Sequence, residues 1–313
     1  MKLLRITFVI CLLVSPLWAQ EETPVFKLNV DVDLVELHVS VVDEKDRAVA
    51  GLQKENFRIL EDRVNQPIAV FKHEDVPVSL GLVIDNSRSI EPRKRRLDAA
   101  ALAFVQKSNP DDEAFIIHFD FDARVAQRFT DDEKQLEGVL AGVKPFGQTA
   151  MYDALILAID EMEKAKYTKK AILLITDGLD NVSKHTLAEA IERIRQTRVA
   201  VYPVGLLSAA EGERGEQELL KIAEVSGGKA YFPMNEDEAR NMMERIARDL
   251  REQYTLGFAP DTDADSSAFR KIEVRVSAAG QGRLHVRTRP GYVVDGDKDE
   301  KHNKGKKEEH DTP

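Results

Sequence analysis

The 313-residue sequence contains one cysteine, Cys11, so no internal disulfide can form. Cys11 lies inside an N-terminal apolar run that reads as removable, which leaves no thiol chemistry for the folded part. No glycine-rich phosphate loop of the usual spacing is present, which removes the commonest nucleotide-binding signature. Beyond the first twenty residues no hydrophobic run is long enough to span a bilayer. The formal charge of −10 argues against a general nucleic-acid binder, which would be basic. Aromatic residues make up only 6%, but 42% of the chain is hydrophobic, enough for two domains with a sizeable core.

What is present begins with a leader. Lys2 and Arg5 precede the apolar run 6–14, and Ser15-Pro16-Leu17-Trp18-Ala19 follows. This is the pattern of a secretory signal peptide over residues 1–19, cleaved after Ala19. The expectation is an exported protein, periplasmic or secreted, with no membrane span after cleavage; an uncleaved N-terminal anchor is the alternative.

Residues 25–42 alternate, with Phe26, Leu28, Val30, Val32 and Leu34 on one face, then Val35, Leu37, Val39 and Val41 after a phase change. That change predicts a bulge or a break near Leu34. Apolar patches at 57–60 and 68–71 make 25–75 a β segment. The pattern changes at Val78: 78–84 is nearly all apolar, as in a strand buried on both faces of a parallel sheet. A helical stripe of Leu97, Ala101, Phe104 and Val105 follows. Strands at 114–119, 123–129 (a short one), 171–176, 199–204 and 229–232 then alternate with helices. The last helix carries Ala239, Met242, Met243, Ile246 and Leu250. This alternation predicts an α/β domain with a doubly wound, mostly parallel sheet over 77–250. β alternation returns over 253–294, and the mixed-charge tail 295–313 is expected to be disordered. Each β segment is short for a core of its own, so the two are expected to form one β-sandwich-like module with the α/β domain inserted between them. Two separate β appendages are the alternative.

The chemistry centres on Asp85-Asn86-Ser87-Arg88-Ser89, at the end of the first buried strand. In extended backbone, alternate side chains point the same way, so Asp85, Ser87 and Ser89 can converge. Alone this is weak, because Asp and Ser are common in strand-end turns. Two further pieces fit it. Thr149 lies in Phe146-Gly147-Gln148-Thr149, just before a helix, and Asp177 ends the second long buried strand in Thr176-Asp177-Gly178. In open α/β sheets, ligands bind outside the carboxyl ends of strands where the strand order reverses.

With these three motifs in this order, and with Tyr152-Asp153-Ala154-Leu155 opening the helix, residues 77–250 resemble a von Willebrand factor type A (VWA) domain with a metal-ion-dependent adhesion site. The resemblance implies that Ser87, Ser89 and Thr149 are direct ligands of a divalent cation, and that Asp85 and Asp177 hold it directly or through water. The outer segments resemble a VWA-related group of exported bacterial proteins known largely from Acidobacteria. Hydroxyl and carboxylate oxygens suit a hard cation, Mg²⁺ first, with Mn²⁺ or Ca²⁺ also compatible. Such an ion, under-neutralised by the ligands, would favour an Asp or Glu from a protein partner. Two residues depart from the family pattern: Arg88 and Arg63 each stand where Gly is common.

The expected function is a non-enzymatic, metal-dependent docking module. Its rivals are a structural scaffold of an envelope assembly with a purely stabilising metal and, third, a metal-dependent hydrolase. Ser87 has no sequence-local base; His73 and His185 sit in no catalytic motif. The basic run 93–96 reads as a solvated helix face, Asp180-Asn181 as a solvated loop, and His118-Phe119-Asp120-Phe121-Asp122 as a loop at the sheet edge.

Overall fold

A computed structural model of the chain describes residues 34–73, 75–141, 144–177, 179–207, 212–260 and 269–293. The leader, the alternating residues before Leu34 and the charged tail lie outside the described residues. Among those residues no helix is long and apolar enough to cross a membrane.

The first β segment supplies β1 (Val35–Val42), β2 (Phe57–Glu61), β3 (Val64–Gln66) and β4 (Val70–Lys72). The α/β part follows as β5 (Ser79–Asp85), α1 (Lys94–Lys107), β6 (Glu113–Phe119), β7 (Ala123–Thr130), α2 (Glu133–Leu140), α3 (Met151–Met162), β8 (Lys170–Thr176), α4 (Leu187–Arg195), β9 (Ala200–Gly205), α5 (Gly212–Ser226) and α6 (Glu236–Arg251). The chain closes through β10 (Tyr254–Phe258), β11 (Phe269–Val276), β12 (His285–Arg287) and β13 (Gly291–Val293).

The α/β sheet has the order β7-β6-β5-β8-β9. β5 runs parallel to β6 and β8, β8 parallel to β9, and only the edge strand β7 is antiparallel. β5 is buried throughout because it lies at the centre with helices on both faces. Leu80, Leu82 and Ile84 join the core under α1 and α6; Val83 joins the core under α3 and α4. Gly81 leaves room for a ring, since a Cβ there would lie 2.5 Å from the Cζ of Phe115. The strand expected at 229–232 reduces to a single bridge between Tyr231 and Val204, and 123–129 is a full eight-residue strand rather than a short one.

The outer segments do combine. One sheet has the order β12-β1-β10-β4 and the other β13-β11-β2-β3, so each mixes strands from both ends of the chain. Their facing residues, among them Leu37, Val39, Phe57, Ile59, Leu256, Phe258 and Val274, share one core. The Tyr254 hydroxyl donates to the Val49 carbonyl (2.8 Å) and accepts from the Leu52 amide (3.1 Å), which satisfies a loop that crosses the core. The hairpin between β2 and β3 turns at Asp62 and Arg63, with φ of 46° and 73°. Left-handed backbone at both positions is what a two-residue hairpin needs and what glycine accepts most easily, so Arg63 sits there at a cost.

Polar contacts join the sandwich to the α/β part. Arg287 of β12 donates to Asp249 of α6 (2.8 Å) and to Asp46 (3.2 Å), and Lys229 also pairs with Asp46. Gln253 donates to Ser40 of β1 (3.2 Å) and to the Tyr202 hydroxyl (3.3 Å). The sequence returns to the sandwich directly after α6 and leaves it directly before β5. The carboxyl ends of β5 and β8 are therefore the end of the sheet that the sandwich leaves uncovered.

Candidate metal centre

Parallel pairing of β5 with β8, in register from Ser79 with Lys170 to Ile84 with Ile175, brings Asp85 level with the end of β8. Thr176 donates its hydroxyl to Asp85 Oδ2 (2.7 Å), and the backbone amide of Ser87 donates to Asp85 Oδ1 (2.8 Å). Asp85 is fully buried. Burial first, and then the charge of Asp177, push its carboxyl well above the ordinary range, to about 7. Ser87 Oγ lies 2.8 Å from Ser89 Oγ, although Ser89 stands in the helical turn 88–93 rather than in the extended backbone expected. The side-chain amide of Asn86 is buried, and neither its Nδ2 nor its Oδ1 finds a partner among the described residues.

The Thr149 loop is tied to this strand end on both sides. Phe146 donates its amide to the Asn86 carbonyl (2.7 Å), and Arg88 donates its amide to the Gly147 carbonyl (3.3 Å). Thr149 is buried, and its backbone exchanges two bonds with Asn181, each of 3.0 Å. The residue before α3, Ala150, has no side chain to cap a helix. Asp180 and Ser183 do so from the loop after β8, accepting from the amides of Tyr152 (3.0 Å) and Asp153 (3.1 Å). A carboxylate there also suits the positive end of the helix. Residues 180–183 are therefore a structural clasp, not the solvated loop expected from the sequence. Asp153, in the first turn of α3, returns the tie by accepting from the amides of Lys184 and His185 and contacting the His185 ring.

Arg93 is the main correction. The basic run 93–96 is not uniformly solvated: Arg95 is largely exposed, but the Arg93 side chain is only 12% exposed. It reaches the Ser89 carbonyl (3.1 Å) and Asp177 Oδ2 (3.4 Å). The sequence carried a signal for this, since Arg93 stands four residues after Ser89 in a helical turn and so faces the same side. Arg88, by contrast, is exposed at the rim. Thr176 was also missed; its register with Asp85 follows only once β5 and β8 are known to be neighbours.

Among the described residues no group of three or more His, Cys, Asp or Glu side chains is arranged to hold a metal. A cation here would depend on hydroxyls. The donors fit a hard divalent ion: two buried carboxylates whose charges oppose each other, beside two hydroxyls that already converge. As for nucleophilic chemistry, His73 stacks on Tyr254 in the sandwich and His185 is held by Asp153. His118, one strand over in β6, is buried, and burial lowers its value to about 4, so its ring is neutral.

Residues 80–179 match the family model described as the von Willebrand factor type A domain. No curated protein matches the chain. Among solved structures, proximal thread matrix protein 1 from the mussel byssus, with its MIDAS motif occupied by zinc, aligns at 20% identity and a TM-score of 0.50. The alignment covers 62% of this chain and 50% of the mussel chain. The vWF domain of a type V pili tip protein from Porphyromonas gingivalis aligns at 14% identity and a TM-score of 0.49, covering 56% of this chain and 97% of that one. An aerotolerance-related membrane protein from Bacteroides fragilis aligns at 19% identity and a TM-score of 0.45, over 55% and 98%. The matched residues run from β5 to just past the end of β8, and the α/β part, with its mostly parallel five-stranded sheet between helices, has the fold of a von Willebrand factor type A domain.

Proposed function

We propose that this chain is an exported docking module. In this reading Asp85, Ser87, Ser89, Thr149 and Asp177 hold a divalent cation, Mg²⁺ before Mn²⁺ or Ca²⁺, for an Asp or Glu of a protein partner. The observation that carries it is the pair of buried carboxylates at neighbouring strand ends, where burial first and then the charge of Asp177 drive Asp85 toward its neutral form. A bound divalent ion would neutralise both and offer an open position to an incoming carboxylate. The chain's own residues prepare that position: Thr176 and the Ser87 amide orient Asp85, while Asn181 fixes the Thr149 loop. Arg88 at the rim favours an acidic ligand. The non-enzymatic reading is supported by the Ser87 hydroxyl, which among the described residues meets Ser89 and the Asp85 carboxylate rather than a histidine. Export rests on the leader at 1–19, and the outer β segments fit the exported group of Acidobacteria that they resemble.

One observation favours the scaffold reading instead. Arg93 already bridges Asp177 to the Ser89 carbonyl, so the loops are tied by the chain's own cation. Capture of partners from envelope extract, by wild type and by Asp85→Ala, separates the two. Docking predicts proteins held in Mg²⁺ and released both by chelator and by the substitution. Capture indifferent to both would discard docking in favour of the scaffold.

A further inference from the structure

Two large aromatic side chains stand exposed beside the site, Phe121 at 44% and Phe146 at 58%. Their rings meet edge to face with centroids 5.7 Å apart. Among the described residues the other exposed large hydrophobics are Leu34, Val64, Leu102, Leu220, Met234 and Phe269, and none of these forms an exposed aromatic pair. Both phenylalanines belong to the loops that build the site. Phe146 is bonded through its amide to the carbonyl of Asn86, the residue after Asp85. Phe121 follows Asp120, whose carbonyl accepts from the Ala150 amide. The Phe121 ring lies over Gly147, where φ is 84° and a Cβ would come within 2.6 Å of the ring. Gly147 is thus required twice, for its backbone and for the ring above it.

Neither ring serves the core, and each loses by facing water what burial would return. Phe146 is three residues from Thr149, a span of at most about 10 Å of chain. Arg88 and Lys144 are exposed in the same loops, while Arg124 is paired with Asp120 at 2.9 Å and Asp122 is exposed. A carboxylate docked at the metal centre therefore arrives beside an apolar platform. We propose that the Phe121–Phe146 pair is the second half of the docking surface and receives an apolar or aromatic side chain of the partner. Along an extended partner segment that rises about 3.3 Å per residue, this side chain stands one to three residues from the acidic residue. The partner is thus a protein presenting an exposed acidic–apolar strip. The inference rests on the docking reading of the metal centre.

The test is selection of displayed peptides, with a fixed central Asp and randomised flanks, on the immobilised full chain in Mg²⁺. Wild type is expected to enrich large apolar residues at a fixed offset within three positions of the Asp. An enriched peptide, made synthetically, should bind roughly tenfold more weakly to Phe121→Ser/Phe146→Ser, and more weakly to Phe146→Ser alone, which keeps the ring over Gly147. Mg²⁺ affinity, measured by calorimetry, should be unchanged in Phe146→Ser. No enrichment, enrichment without an apolar preference, or equal affinity for wild type and both variants would overturn the proposal. The metal reading fails separately: binding that survives EDTA and Asp→Asn in the peptide, yet drops in the variants, counts for the aromatic pair and against the metal.

Discussion

Among the clusters of charge buried in the described residues, two are built on opposite principles. In the sandwich, Glu61 meets Arg270 at 3.1 Å and the Tyr292 hydroxyl at 2.5 Å, while its other oxygen accepts from Gln66 at 2.9 Å. Opposite charges and hydrogen bonds offset the loss of water there, as a buried charge requires. At the carboxyl ends of β5 and β8, Asp85 faces a second carboxylate instead, and the Asn86 side-chain amide has no partner among the described residues. The sandwich cluster is complete as it stands. On the proposed reading a divalent cation joins the strand-end cluster, where Arg93 already stands against Asp177 from one side. On that reading the contrast separates burial that holds a fold together from burial that prepares a binding site.

The comparison breaks most visibly if Glu61 is truncated. Glu61→Ala takes the carboxylate from Arg270 and the acceptor from Tyr292, and chemical denaturation should show a loss of about 3–5 kcal/mol. A loss near zero would mean that the sandwich pair is not the compensated structure described here.

At the strand ends the sign should reverse. Asp85 has a folded value of about 7 against an ordinary 3.8, so between those values the native state holds a proton that the unfolded chain releases. Its contribution is fully present below 3.8 and is lost as pH rises through 7. In chelator at pH 8, Asp85→Asn should therefore stabilise the protein by about 1–3 kcal/mol, since the amide oxygen can still accept from Ser87. The gain should vanish near pH 4. Destabilisation at pH 8 would show that Asp85 is compensated like Glu61.

A smaller effect isolates Arg93. Arg93→Gln removes the guanidinium that competes for Asp177, and Mg²⁺ affinity should rise about tenfold, close to the worth of one charge-assisted hydrogen bond. Weaker Mg²⁺ binding would assign Arg93 to holding the loops in place rather than to competing with the ion.

How far these features were legible in the sequence depends on what encodes them. The sheet was legible because β5 and β8 are unbroken apolar runs and the helices between carry single stripes. Asp85 and Ser87 were legible because alternation along extended backbone is local geometry; Ser89 meets Ser87 from the helical turn 88–93 instead. β3 was not, since Val64, Asn65 and Gln66 form an exposed or half-exposed hairpin arm without apolar alternation. The strand at 229–232 was over-read from four residues at the sheet edge, where Tyr231 makes one bridge. Thr176 and the Asp180–Ser183 clasp were hidden for a common reason, as was the reach of Arg93 to Asp177: each acts on a residue distant in sequence, through strand neighbours or loop contacts that only the assembled sheet defines.

The central claim is that the strand-end oxygens hold a divalent cation, and calorimetric titration of Mg²⁺ into wild type and Asp85→Ala tests it most directly. The account predicts one saturable site in wild type and a loss in the variant larger than the ~10–100-fold typical of removing an outer-shell partner. Equal binding by the two proteins, or none by wild type, would contradict it.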